Sequence, residues 1–147
     1  MIGIIITGHG EFSLGLRSSA KMIVGKQIGL EAVPFLEGES SSELQKKLTS
    51  KIAEMRDEYE GVIVLADLTG GTPYKESAVI ANEYSNVKVI GGTNLSMVLE
   101  LSMLRMMEND ADKLTHQTLT SGKDAIQLFE CVKIEDSNSS AEDSEGI

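Results

Sequence analysis

In this 147-residue chain the chemistry concentrates around His9, which sits between two glycines (Gly8-His9-Gly10) directly after the apolar run Ile2–Ile6. Glycine neighbours remove the side chains that would obstruct a bulky reactant approaching the imidazole. Asp67 stands in the equivalent place after a second apolar run, Val62–Ala66. If the two runs are neighbouring strands, this histidine and carboxylate come within hydrogen-bond reach although distant in sequence. A carboxylate accepting from Nδ1–H fixes the tautomer and leaves Nε2 with a free lone pair. It also stabilises the cation formed when Nε2 bonds to an electrophile. Thr69, Gly70, Gly71 and Thr72 follow at once and supply hydroxyls and backbone amides. Helices starting near Ser13, Pro73 and Leu95 would turn positive dipole ends toward the same place. A phosphoryl group in transfer, its charge spread over several oxygens, suits such donors.

Positioning these residues requires several chain turns on one edge of one sheet. Ile2–Ile6, Val62–Ala66 and Val87–Ile90 are continuous and rich in β-branched residues, the pattern of central strands in a parallel sheet. Gly29–Pro34 is a weaker fourth candidate, and Ile126–Ile134 reads as a late strand. Helical stripes alternate with the strands. Ser13–Val24 carries Leu14, Leu16, Ala20, Ile23 and Val24, and residues 41–56 place Leu44, Leu48, Ile52 and Met55 on one face. Ser40 and Glu43 have capping-box spacing. Thr72-Pro73 reads as an N-cap followed by proline, opening a helix to about Glu83. Asn94 is expected to cap a helix from Leu95 to Met107, and Leu114–Leu119 is also expected to be helical. Alternation of this kind implies a doubly wound α/β domain, mainly parallel, with helices on both faces. The pairs Gly8/Gly10, Gly70/Gly71 and Gly91/Gly92 then all fall at the carboxyl ends of strands, where such sheets bind ligands.

Composition removes other classes. The formal net charge is −10, with three Phe, three Tyr and no Trp, so the chain offers neither a basic footprint nor a stacking platform for nucleic acid. Apolar runs fall short of the roughly 20 residues a membrane helix needs. The N-terminus lacks a basic region and a cleavage site, and one cysteine, Cys131, fits a reducing cytoplasm. P-loop, dinucleotide and clustered-carboxylate metal patterns are missing, so no cofactor and no metal are expected. Residues 135–147 carry five acids and no base and read as a disordered tail after a domain at 1–134. Without them 18 acids face 13 bases, about −5, which leaves room for a local anion site.

Three segments in order, IITGHGEFSLGL, VLADLTGGTPYKESA and VIGGTNLSMVLEL, resemble the mannose-family IIA component of the bacterial sugar phosphotransferase system. The likeness covers roughly residues 1–130. It implies that His9 is phosphorylated by the histidine-containing phosphocarrier protein and passes the phosphoryl group to a histidine of a IIB component. Asp67 becomes the orienting partner, and Thr69, Gly70, Gly71 and Thr72 the phosphate-binding turn. The resemblance also implies a homodimer exchanging an antiparallel C-terminal edge strand, here Ile126–Ile134, which would cover an open sheet edge. IIB would be a separate protein, and the membrane would be met only through the IIC/IID permease. Tyr74-Lys75 stands where family members often carry a smaller or amide residue.

The remaining chemically capable residues have plainer roles. His116 lacks a partner acid and is expected on the surface. Met97, Met103, Met106 and Met107 suit core or dimer packing rather than a cofactor box. Cys131 has no activating neighbour and is expected to be inert. The sequence is also compatible with two rival functions. One is the phosphotransferase subunit of a phosphoenolpyruvate-dependent dihydroxyacetone kinase. The other is a non-catalytic regulatory module in which His9 merely binds an anion.

Overall fold

The computed structural model describes residues 1–133. The chain runs β1 (Ile2–His9), α1 (Phe12–Val24), β2 (Leu30–Phe35), α2 (Ser41–Glu58), β3 (Gly61–Ala66), α3 (Thr72–Ala81), β4 (Val87–Ile90), α4 (Leu95–Leu104) and α5 (Ala111–Asp124). Among the described residues the four strands form one sheet in the order β2-β1-β3-β4, every pair parallel. The expected doubly wound α/β arrangement is therefore present, with β1 and β3 adjacent as the His9–Asp67 argument needs.

Strand side chains alternate between faces, which explains why the central strands are apolar throughout. Ile4 and Ile6 of β1, with Ile63 and Leu65 of β3, pack under α1, α4 and α5 through Ala20, Met97, Val98, Leu101 and Leu114. Ile5, Val62 and Val64 face the other way, onto α2 and α3 through Leu44, Leu48, Ile52, Met55 and Ile80. Each such side chain contributes about 1.5–3 kcal/mol when fully buried.

Helix ends follow local chemistry. The Ser40–Glu43 capping box closes as expected, each residue's side chain accepting from the other's backbone amide. Asn94 caps α4 by accepting from the Met97 amide. Three helices depart from expectation at their ends. Gly71, not Thr72, caps α3. Its extended backbone turns into the helix without a side-chain bond, Thr72 is the first helical residue, and the helix stops at Ala81. Helix α4 ends at Leu104, leaving Met106 and Met107 exposed, while Met97 is buried as core. Helix α5 starts earlier than Leu114, because the Asp110 carboxylate accepts from the Asp112 and Lys113 amides one turn upstream.

The expected late strand does not form within the single chain. Residues 126–133 are in neither helix nor strand, and Ile126, Leu128, Phe129 and Val132 are exposed. A strand needs a neighbouring strand to satisfy its ladder, and among the described residues β4 has only β3 beside it. Ile134 and the acidic segment 135–147 lie outside the described residues.

Candidate functional site

The carboxyl ends of β1, β3 and β4 carry the three glycine pairs, and the site is assembled between the first two. Strand β1 ends at His9, and the β1–β3 register carries on to Thr7 opposite Ala66. The Asp67 amide donates to the Thr7 carbonyl at 3.1 Å, so Asp67 extends the ladder and arrives beside His9. Asp67 Oδ2 then accepts twice from one residue, from the His9 backbone amide at 2.8 Å and from the ring Nδ1 at 2.7 Å. Oδ1 accepts from the Leu68 amide at 2.8 Å. Burial alone would raise the Asp67 carboxyl. The donors from the His9 amide, the His9 ring and the Leu68 amide outweigh it and hold the group below the ordinary carboxylate range.

The partners differ in access. The His9 side chain is 50% exposed and that of Asp67 only 14%. With Nδ1–H donated to the carboxylate, Nε2 keeps its lone pair. Gly10 follows with φ +57°, a left-handed turn that favours glycine, and its amide donates to the Phe35 carbonyl at 2.8 Å. Gly71 lies along the ring, where an added Cβ would come 3.1 Å from His9 Cε1.

The structure brings together all six residues singled out from the sequence, His9, Asp67, Thr69, Gly70, Gly71 and Thr72, on one sheet edge. Their hydrogen-bonding capacity is not uniform. The Gly71 amide is already engaged with the Leu68 carbonyl at 3.1 Å. The first helical bond of α3 runs from Lys75 to Gly71, which leaves the Thr72 and Tyr74 amides without a partner in the helix and Pro73 with none to offer. Sequence reasoning missed the residues that hold this arrangement. Thr93 donates from Oγ1 to the Ala66 carbonyl at 2.7 Å and ties the β4–α4 turn to the end of β3. Phe35, opposite His9 in the β1–β2 register, meets its ring at a centroid distance of 5.6 Å and an angle of 65°. Its only sequence signal is an aromatic at the end of a weak strand.

His116 lies on the surface, away from this edge on α5, and Cys131 is exposed. Among the described residues no group of three His, Cys, Asp or Glu side chains could hold a metal ion, and no helix is long and apolar enough to cross a membrane.

Against this geometry the likenesses to known proteins are specific. The family model described as "PTS system fructose IIA component" matches residues 3–119. The fructose-specific EIIA component of the phosphotransferase system of Bacillus subtilis (strain 168) is 40% identical over 105 residues, 71% of this chain and 71% of that protein. The mannose-specific EIIAB component of Escherichia coli (strain K12) is 28% identical over 134 residues. That match takes in 91% of this chain and 41% of the relative, so the chain spans less than half of the EIIAB protein. The crystal structure of a phosphotransferase system EIIA component from Streptococcus agalactiae superposes with a TM-score of 0.80 at 35% identity, covering 86% of this chain and 96% of that one.

Proposed function

The chain belongs to the mannose-type IIA family of the sugar phosphotransferase system, and from that premise we propose that His9 is its transient phosphoryl carrier. The observation that carries the proposal is the double hydrogen bond from His9 to Asp67 Oδ2, which commits Nδ1 and leaves Nε2 as the nucleophile at an open edge.

In the proposed reaction the Nε2 lone pair forms a new N–P bond while the N–P bond of the donor breaks, its electron pair returning to the donor imidazole. The Nδ1 proton stays in place, and the Asp67 carboxylate balances the positive charge that develops on the ring. The equatorial oxygens would meet the free Thr72 and Tyr74 amides at the start of α3, with the Thr69 and Thr72 hydroxyls and the Gly70 amide. Because the Gly71 amide is engaged by Leu68, its contribution is the clearance beside the ring. The same site must release the phosphoryl group, so it should favour the transfer state over the phosphorylated resting state.

The proposed donor is the histidine-containing phosphocarrier protein and the acceptor a IIB component, with the exchange in the cytoplasm and the membrane reached only through the permease. Exposed Ile126, Leu128, Phe129 and Val132 support a homodimer in which this segment pairs with a second copy. Incubation with phosphoenolpyruvate, enzyme I and the phosphocarrier protein should yield an acid-labile, base-stable phosphate. Absence of label, or undiminished label on His9→Ala, rejects the carrier.

A further inference from the structure

We propose that Phe35 is a positioning residue for His9, holding the imidazole so that Nε2 faces the incoming phosphoryl group. The inference rests on His9 being the carrier and adds the device that fixes its ring.

Asp67 holds one corner of the imidazole through Nδ1, and Gly71 lies along the Cε1 edge. With these two contacts alone the exposed ring is free to swing away from the sheet on the side of β2. Phe35 occupies that side. Residues two apart in a strand share a face, so His9 extends the row of Ile5 and Thr7, and Phe35 that of Val33. The register sets the two ends opposite one another, and the rings meet edge to face.

Phe35 is itself held more firmly than the end of an edge strand requires. Its side chain packs on the core beneath α2 and α3, and its carbonyl accepts from the Gly10 amide at 2.8 Å. Lys47 of α2 braces both chain neighbours. Its ammonium donates to the Pro34 carbonyl at 2.7 Å and to Glu39 Oε1 at 2.6 Å, while Glu39 Oε2 accepts from the Leu36 amide at 2.8 Å. One cation from the neighbouring helix thus clamps the chain before and after Phe35. A ring that must accept a phosphoryl group and surrender it again in each cycle gains from a fixed wall, since small misplacements at the reacting atom are costly.

The test reads the ring directly. In the unphosphorylated protein, 15N shifts of the His9 imidazole report its tautomer, independently of any transfer. Phe35→Ala should lower the Nδ1–H fraction and slow phosphoryl transfer in both directions about tenfold, with Phe35→Tyr restoring both. A slow Phe35→Ala variant whose His9 signals match the wild type overturns the proposal, because Phe35 would then serve docking or stability. So does an unchanged rate. If Phe35→Ala does not fold, Lys47→Met keeps both aromatic side chains but removes the brace on Phe35 and should move the His9 signals in the same direction; wild-type signals there also overturn it. Loss of label on His9→Ala tests the carrier separately, so the two readings fail by different results.

Discussion

Gly91 and Thr69 are packed so closely that a methyl group cannot be placed between them. A Cβ on Gly91 would fall 2.8 Å from Thr69 Cα and collide with its Oγ1. The turn after β3 therefore rests on the turn after β4, and its path toward α3 depends on the missing side chain. Gly91→Ala should push residues 67–72 away from β4. The expected result is a loss of about 1–3 kcal/mol in urea unfolding together with a slower His9 phosphorylation. Unchanged stability and rate in Gly91→Ala would show that the two turns are not mechanically linked.

Asp67→Asn keeps the size of the side chain and lets the amide oxygen accept from the His9 backbone, but removes the charge that opposes the developing imidazolium. Phosphoryl transfer should slow by about 10²-fold or more, while circular dichroism stays native. Transfer kinetics equal to the wild type would remove Asp67 from the mechanism.

The same carboxylate has a signature in acid. Asp67 is held below its ordinary value of 3.8 in the folded protein, so in the window between the folded and unfolded values the unfolded chain binds more protons. Stability from the His9–Asp67 contact is then complete above the ordinary aspartate range and is lost as the pH falls through the folded value. Glu39 and Glu108 are also lowered and contribute slopes of their own, Glu39 through the Lys47 hydrogen bond and Glu108 through the Asp110 amide. The difference between wild type and Asp67→Asn isolates the Asp67 part. That difference in unfolding free energy should shrink between about pH 5 and pH 2. A pH-independent difference contradicts the assignment.

The chemistry was more legible in the sequence than the scaffold that tunes it. His9 and Asp67 each terminate a β-branched run, and parallel pairing of the two runs leaves little choice about where they meet. Glycine pairs at strand ends are visible for the same reason. Phe35 and Lys47 were not legible, because their role depends on register between β1 and β2 and on the approach of α2, neither of which leaves a local pattern. The cap of α3 lies one residue before the position its side chains suggest, because Thr72 has a capping side chain and Gly71 does not, yet backbone conformation alone starts this helix. For 126–133 the strand pattern is present, but pattern cannot supply the neighbouring strand a ladder needs.

Ile126, Leu128, Phe129 and Val132 are exposed in the single chain, and among the described residues the outer edge of β4 is unpaired. Sedimentation equilibrium of the full chain should give a dimer, and a chain ending at Ala125 should sediment as a monomer with native helix content. A dimer that survives this truncation would locate the interface elsewhere.

Arg105 is buried to 1% exposure at the opposite edge of the sheet from His9. No carboxylate among the described residues pairs with it. Its Nη1 donates to the carbonyls of Ile2 and Gly29, each at 3.0 Å, and Nη2 donates to Ile28 at 2.6 Å. The guanidinium thus joins the start of β1 to the turn entering β2, adding a second donor at the Gly29 carbonyl, which also accepts from the Ile4 amide at 2.8 Å. Its planar fork matters, since a lysine ammonium at the end of its stem cannot serve three diverging carbonyls. Arg105→Met keeps most of the apolar stem but leaves those acceptors short of donors. It should cost about 1–3 kcal/mol, a fall in Tm on the order of 5 °C, with Arg105→Lys recovering only part of it. Because Arg105 is remote from the reacting ring, the 15N signals of His9 and its phosphorylation rate at 25 °C should stay at wild-type values. Loss of transfer at unchanged Tm would contradict a purely structural clamp and tie the amino edge of β1 to the chemistry at its carboxyl end.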